Sequence, residues 1–309
     1  MIPVACVACG GALQPRHPSV IDPQGGGTFS ILACTGCGLG CTSPVPDDLA
    51  PHYAGDYYGG RHGVAGRWAV RRRLAILRQA SGGAPPGSLL DVGCGDGSFL
   101  LGAWAAGHQV SGVELEPRRA RAAGLEVHAA VEGAEGRGPF HAITLWHSLE
   151  HLTDPPATLA RLGRLLASGG VLIVAVPDAG SIQARLFGRF WLHLDVPRHL
   201  FHFDGRSLDA TLARAGLQPV RRWHQEFEYD LIGWVQSALN ALSVSPNFLL
   251  KRLTGRRPPA HAFDWLTTLA LAPPLGIAGI PATWLSTAAG RGGTLLVAAQ
   301  PLGTKSHGA

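Results

Sequence analysis

The chain has 309 residues, 46% hydrophobic and only 15% charged, so it carries enough apolar mass for one large or two modest domains and is not a disordered tail. Its 26 basic and 21 acidic residues leave a net charge of +5, with no long basic run and no interleaved aromatics, which argues against a nucleic-acid partner. Residues 1–6 lack the charged head and apolar core of a signal peptide, so the expected location is cytoplasmic and the six cysteines are expected as thiols or metal ligands.

The first element in chain order is a pair of knuckles, Cys6-x2-Cys9 and Cys34-x2-Cys37, separated by 24 residues. Each can place two sulfurs on one tetrahedral ion, and four sulfurs leave no position for water. Residues 1–45 are therefore expected to form a structural zinc ribbon, with the metal supplying stability that so short a segment lacks. Ordinary thiols or a redox pair are the alternatives. Cys41 reads as a bystander and Cys94 as a packing residue.

Residues 46–86 read as a linker and an N-terminal helix. Tyr53, Tyr57 and Tyr58 sit in the linker, and the helix is expected over 66–80, with Val70, Leu74 and Leu77 inward and Arg71, Arg72, Arg73 and Arg78 on a solvated face. From residue 87 to 227 short apolar runs alternate with helical patterns, as in a parallel sheet covered on both faces. Strands are expected at 88–92, 109–114, 125–129, 142–146, 171–176, 217–223 and, after an insert, 294–299. Helices are expected at 98–106, 117–123, 156–167 and 207–215, with Gly107, Gly124, Gly169-Gly170 and Gly216 where C-caps are needed.

The densest signal is Leu90-Asp91-Val92-Gly93-Cys94-Gly95-Asp96-Gly97, an apolar strand ending in an acid and then a glycine turn that opens a helix. Such a turn lets backbone approach a ligand at the carboxyl end of the strand. A second apolar run ends in Glu114, 23 residues after Asp91, where an acid suits the two hydroxyls of a ribose.

These residues resemble the class I S-adenosylmethionine (SAM)-dependent methyltransferases over about residues 60–225 plus the final strand. Asp91, Gly93, Gly95 and Gly97 resemble the first motif, Glu114 its ribose-binding acid, and Leu145-Trp146-His147-Ser148-Leu149-Glu150-His151-Leu152 the fourth motif of the ubiquinone-biosynthesis O-methyltransferase branch. The resemblance implies an α/β fold with a Rossmann-like seven-stranded sheet, SAM as co-substrate, and Trp146 beside the cofactor. The segment Phe190 to His199 is similar to one in bacterial methyltransferases that often carry a zinc ribbon and are frequently linked to surface glycan, lipid or secondary-metabolite pathways. The sequence departs from the family after the third strand, where His128-Ala129-Ala130-Val131 offers no acid for the adenine and Glu132 is the nearest candidate.

Methyl transfer to a hydroxyl needs a base beside the methyl, and His151 and His147 are the candidates, since histidine titrates near the working pH. His147, Glu150 and His151 also stand at i, i+3 and i+4, so one helical turn could aim them at a second divalent metal. Asp195, Arg198, His199 and His202 form a polar island in an aromatic stretch and are expected in the acceptor pocket, with an Arg198–Asp195 pair in a packed loop as the alternative.

Residues 228–291 form an apolar helical insert before the final strand and tail at 292–309. Neither 231–250 nor 265–290 contains a charge, while Lys251, Arg252, Arg256 and Arg257 lie between them. Pro273-Pro274 and Pro281 are expected to break the second run. Both flanking strands belong to one sheet, so a single membrane pass is excluded. A peripheral hairpin on anionic lipid at the inner face of a membrane, or a homodimer interface, remains. The sequence thus reads as a methyltransferase acting on a small-molecule or lipid- or glycan-linked acceptor, with oxygen the expected target. The alternatives are a SAM-fold protein without methyl transfer and a non-catalytic module that recruits a partner through its ribbon.

Overall fold

A computed structural model describes residues 5–53, 64–224, 226–256, 258 and 261–303. Tyr57, Tyr58 and Arg257 lie outside the described residues. In chain order the elements are β1 (Leu13–Ile21), β2 (Thr28–Cys34), β3 (Gly40–Ser43), α1 (Val64–Ala80), β4 (Ser88–Val92), α2 (Ser98–Ala105), β5 (Gln109–Val113), α3 (Arg118–Ala122), β6 (Val127–His128), β7 (Phe140–Trp146), α4 (Pro155–Arg164), β8 (Leu166–Pro177), α5 (Ile182–Phe187), β9 (Phe201–His202), α6 (Gly205–Arg214), β10 (Leu217–Trp223), α7 (Phe227–Ala241), α8 (Phe248–Leu253), α9 (Ala262–Ala288) and β11 (Thr294–Pro301).

The chain divides into two compact units, one of Gly60–Ala175, Thr211–Arg222 and Leu296–Ala309, the other of Met1–Gly59, Val176–Ala210 and Trp223–Leu295. In the first unit lies the body of a seven-stranded sheet in the order β10-β11-β8-β7-β4-β5-β6, with β4, β5, β6, β7 and β8 paired in parallel. Leu89, Leu90, Ile143, Leu145, Leu172, Ile173 and Val174 are wholly buried, as expected of strands covered on both faces. All seven expected strands form, β4 on its expected bounds.

Three expectations need correction here. The helix placed at 156–167 ends at Arg164, and Gly169-Gly170 lie inside β8 rather than at a helix end. The β7–β8 register shifts between Phe140 and Ala142, opposite that stretch, and a Cβ on Gly170 would meet the Phe140 and Ala167 carbonyl oxygens at 2.9 Å. The glycine pair is thus a bulge, where the backbones approach too closely for a side chain. The arginines of α1 are not uniformly solvated, because Arg73 stacks on Trp146 at 5.0 Å and Arg72 on Trp68 at 5.5 Å. Finally, α9 runs unbroken through Pro273, Pro274 and Pro281. A proline already has a helical φ, and each ring costs one N–H while projecting from exposed positions.

The second unit holds a smaller sheet in the order β1-β2-β3-β9, with antiparallel pairing throughout. The sequence did not signal β1, whose Pro15 and Pro18 argue against a strand and whose only buried residue is Val20. Its ladder is shifted twice, between Pro15 and His17 and between His17 and Val20, which accommodates those prolines. A shared core of Val20, Phe29, Ile31, Ala179, Ala184, Trp191, Leu194 and Val196 packs the ribbon onto the 176–203 segment.

Candidate functional site

The glycine turn between β4 and α2 places Gly93, Gly95 and Gly97 at φ of +78°, +57° and +81°, a region costly for L residues with a Cβ. The three serve different ends. A Cβ on Gly93 would meet Ser148 Oγ at 2.2 Å, and one on Gly97 would meet Leu125 at 2.3 Å, so both glycines permit packing within the chain. A Cβ on Gly95 meets nothing within 4 Å, so Gly95 presents the open side of the turn.

The N–H groups of the turn are largely occupied within the chain. Those of Gly93 and Cys94 donate to the Val113 carbonyl at 2.7 and 3.1 Å, that of Gly97 to Cys94 O, and that of Ser98 to Asp96 Oδ1. Gly95 N–H donates to Glu114 Oε2 at 2.8 Å, and Glu116 N–H reaches Glu114 Oε1 at 3.4 Å. Glu114, buried at the end of β5, is thereby aimed back at the glycine turn. A carboxylate can accept about four hydrogen bonds, so these two leave capacity for a pair of ligand hydroxyls.

Asp91 is 2% exposed, and Thr144 Oγ1 donates to its Oδ1 at 2.6 Å. Burial pushes the Asp91 carboxyl up to about 6, opposed by the Thr144 hydrogen bond and by the Arg73 guanidinium, and aided by Glu114. Asp91 therefore organises the floor of the turn. Thr144, Arg73 and Ser148 were not singled out in the sequence. Thr144 is the one polar residue in a buried apolar run, and Arg73 stands three residues after Val70 and four before Leu77, on their face of α1. Trp146, 5% exposed, is fixed edge-to-face on Phe99 at 5.5 Å and under Arg73, and its buried Nε1 has no hydrogen-bond partner among the described residues. Cys94 packs on β5, where a Cβ on Gly112 would meet its Sγ at 2.8 Å, and burial and Asp91 keep it a thiol. Glu132 is ion-paired with Arg161 of α4 at the surface.

The fourth-motif histidines do not form the helical trio expected of them. Residues Leu149–His151 make a 3₁₀ turn, and α4 starts only at Pro155. His147 sits before that turn with a left-handed φ of +55°, its N–H donating to Ala175 O. Its Nδ1 lies 3.6 Å from Glu150 Oε1, a buried carboxylate, while Glu150 and His151 offer donor atoms within 4.8 Å of one another. A 3₁₀ turn has about three residues per turn, so i and i+4 no longer share a face and His147 falls outside the set containing Glu150 and His151.

In the second unit, the Sγ atoms of Cys6, Cys9, Cys34 and Cys37 lie within 4.8 Å of one another, with Cys6–Cys37 at 3.5 Å and Cys9–Cys34 at 3.4 Å. Four thiolates on zinc, with Zn–S of about 2.3 Å, stand roughly 3.8 Å apart, so the cluster fits that ion. The two knuckles are alike, with Gly10 N–H donating to Cys6 O and Gly38 N–H to Cys34 O, both glycines left-handed. The N–H groups of Gly36 and Cys37 donate to Cys34 Sγ, and although burial opposes it, these bonds and the neighbouring thiols hold Cys34 down to about 6. Burial pushes Cys41 up to about 12, consistent with a bystander.

The polar island is largely consumed by the fold. Arg198 is 0% exposed, and its guanidinium donates to Asp195 and Asp22 at 2.8 Å and to the carbonyls of His52 and Val196. Burial would discharge it, but Asp195 and Asp22 keep its pKa raised. Arg198 and Asp195 therefore tie the 195–198 loop to the ribbon instead of presenting charge to an acceptor. His202 sits in β9 with Nε2 3.0 Å from Thr42 Oγ1. His199 is 8% exposed, and its Nδ1 lies 2.8 Å from the His193 carbonyl, which fixes the proton on that nitrogen.

A family model described as a methyltransferase domain matches residues 62–222, just over half of the chain. The chain belongs to that family. The methyltransferase domain contains the glycine turn, Glu114 and the fourth motif. The chain is 31% identical over 139 residues to the ubiquinone biosynthesis O-methyltransferase of Xanthomonas oryzae pv. oryzae, covering 40% of this chain and 58% of that one. It is 26% identical over 196 residues to the same-named protein of Bordetella bronchiseptica, covering 58% and 80%. Among solved structures it is similar to the 1,6-didemethyltoxoflavin-N1-methyltransferase of Burkholderia thailandensis, at 22% identity and a TM-score of 0.46, over 67% of this chain and 90% of that one. The chain spans 58% of the length of the first of these curated relatives.

Proposed function

We propose that this protein transfers the methyl group of SAM to a hydroxyl of a small-molecule or lipid- or glycan-linked acceptor. The observation that carries the reading is the pairing of Gly95 with Glu114, an open left-handed glycine whose N–H orients a buried carboxylate at the end of the next strand. SAM supplies a methyl group already activated on a positively charged sulfur, so the protein must chiefly align donor and acceptor, which can contribute roughly 7–11 kcal/mol. Gly95 gives the cofactor backbone clearance, Glu114 accepts from the ribose hydroxyls, and Asp91 with Thr144 holds the turn in place. Trp146 forms an aromatic wall, and its Nε1 is a donor for the ligand. His151 takes the proton from the acceptor hydroxyl, and Glu150 holds it and His147 in position.

The curated relatives, named for ubiquinone biosynthesis O-methylation, support oxygen as the methylated atom. We assign residues 1–45 to a zinc-stapled ribbon, 46–86 to a linker and helix, 87–227 to the cofactor core and 228–291 to a contact surface, a membrane's inner face or a second copy being its partner. The protein then works in the cytoplasm or at that face. Calorimetric titration with S-adenosylhomocysteine (SAH) tests the cradle. The wild-type chain is expected to bind and Gly95→Val, assayed below its lowered melting temperature, to lose binding, while equal affinity in the two sinks the assignment. Mass spectrometry of extracts incubated with methyl-labelled SAM then reads the acceptor, and SAH binding with no labelled product would favour a SAM-fold protein without methyl transfer.

A further inference from the structure

Helix α9 is built inside out. Its buried residues are Asp264, Thr268, Gly279, Thr283 and Ser286, which are polar or small. Its outward stripe, spaced by three and four, is Leu266, Leu269, Pro273, Ile277, Ile280 and Trp284, all exposed, with Ile277 at 74% and Leu266 at 69%. A helix of a water-soluble fold shows the reverse. Two of the inward polar side chains, Ser286 and Asp264, are used, and Ser286 Oγ donates to the Thr283 carbonyl. Asp264 accepts from Ser245 N and Oγ at 2.8 and 2.9 Å and caps the helix at His261, and Gly279 lets α9 approach Leu231 of α7, where a Cβ would stand at 2.9 Å. Leu271 and Leu275 pack on the cluster of Val235, Leu239, Val244 and Phe248. The orientation of α9 is therefore fixed by its protein-facing side, and the apolar stripe is left outward.

We infer that this stripe seats in the interfacial layer of an anionic membrane, with α9 lying in the membrane plane. The inference rests on the reading of the insert as a contact surface and commits to lipid. Two observations favour lipid over a second copy, and a third favours the interfacial layer over a crossing. First, no charge occurs from residue 265 to 290, so the stripe has none of the charged rim that borders a protein interface. Second, the insert is basic, since Lys251, Arg252, Arg256 and Arg257 are opposed between residues 231 and 290 only by the buried Asp264. That balance complements anionic head groups. Third, Pro273, Pro274 and Pro281 leave the carbonyls four residues before them without helical donors. Such carbonyls are tolerated where water and head groups reach them and not in hydrocarbon. The length of α9 would allow a span, but β10 and β11, which flank the insert, are neighbours in one sheet, so a single crossing is topologically excluded.

The test is flotation of the full chain with vesicles of equal parts phosphatidylglycerol and phosphatidylcholine, and with phosphatidylcholine alone. Wild type is expected to float with the anionic vesicles and weakly with the neutral ones. The exposed double variant Leu269→Glu/Ile277→Glu should lose at least about tenfold in binding at an unchanged melting temperature. Wild-type protein that stays soluble, equal flotation on both vesicle types, or a double variant that floats like wild type overturns the inference. A dimer seen by light scattering that the double variant dissociates, without flotation, overturns it in favour of a second copy. SAH affinity is measured on the same samples, so a chain that floats without binding SAH removes only the cofactor reading.

Discussion

The cysteine cluster and the polar island at 195–202 both look like ligand sites in the sequence, yet the fold gathers the four sulfurs together and pairs Arg198 and Asp195 within the chain. Cys6 and Cys9, and Cys34 and Cys37, are each joined by a short knuckle whose own backbone aims both sulfurs. Arg198 meets Asp22, 176 residues away, and the charge that suggested an acceptor pocket is spent on tying a loop to the ribbon. A chemical grouping set by local geometry can be read from spacing. One whose partner lies across the chain cannot, because polar residues do not announce whether they serve a ligand or each other.

The largest effect that could break this comparison is metal removal. A strong chelator, or Cys37→Ser, is expected to abolish ordered ribbon strands, since a structural zinc site contributes on the order of 10 kcal/mol to folding. Retained far-ultraviolet circular dichroism and an unchanged unfolding midpoint after metal loss, checked by elemental analysis, would show that the cluster is not structural. Next, Arg198→Ala should destabilise the protein by about 3–5 kcal/mol by removing the guanidinium from the buried Asp22 carboxylate, with SAH affinity unchanged. A variant of normal stability whose acceptor KM alone rises would return Arg198 to the acceptor site.

The catalytic segment sharpens the same contrast. His151→Ala should lower kcat by roughly 10²–10⁴-fold, whereas His147→Ala should lower it less, because His147 lies outside the donor set of Glu150 and His151. Equal losses accompanied by loss of a bound divalent ion would restore the three-residue site.

A further effect concerns a buried acid with no cation against it among the described residues. Burial, with Glu226 adding to it, raises the Asp230 carboxyl to about 8, while Thr294 Oγ1 donates to it at 3.0 Å. The folded chain then keeps a proton that the unfolded chain releases near pH 4, so stability falls as pH rises from about 4 to about 8 and levels off above that. Asp230→Asn should flatten this slope in denaturant titrations, and a variant with the wild-type slope would show that Asp230 is not its source. Arg198 and Asp230 are both buried, but only Arg198 has counter-charges, so only its neutral replacement is expected to destabilise.

Much of the fold was legible because a buried parallel strand has to be a short apolar run, and Leu89 to Val92 and Ala142 to Trp146 cannot be much else. The left-handed turn was legible because only glycine accepts its φ. β1 was not, since two prolines and one buried residue carry no strand pattern until the rest of the ribbon sheet is present. Arg73 was masked by three neighbouring arginines, and the 3₁₀ turn at Leu149–His151 by the expectation of a helix that starts later, at Pro155.

By itself the sequence determined the glycine turn, the acid after the next strand and the two cysteine knuckles, because each is a local geometry that few residue types satisfy. Only the tertiary structure decided which glycine has open space beside it, that Arg198 is an anchor, and that α9 turns its polar side inward. Those outcomes depend on what stands opposite each side chain, and the chain brings those partners together from up to 176 residues apart.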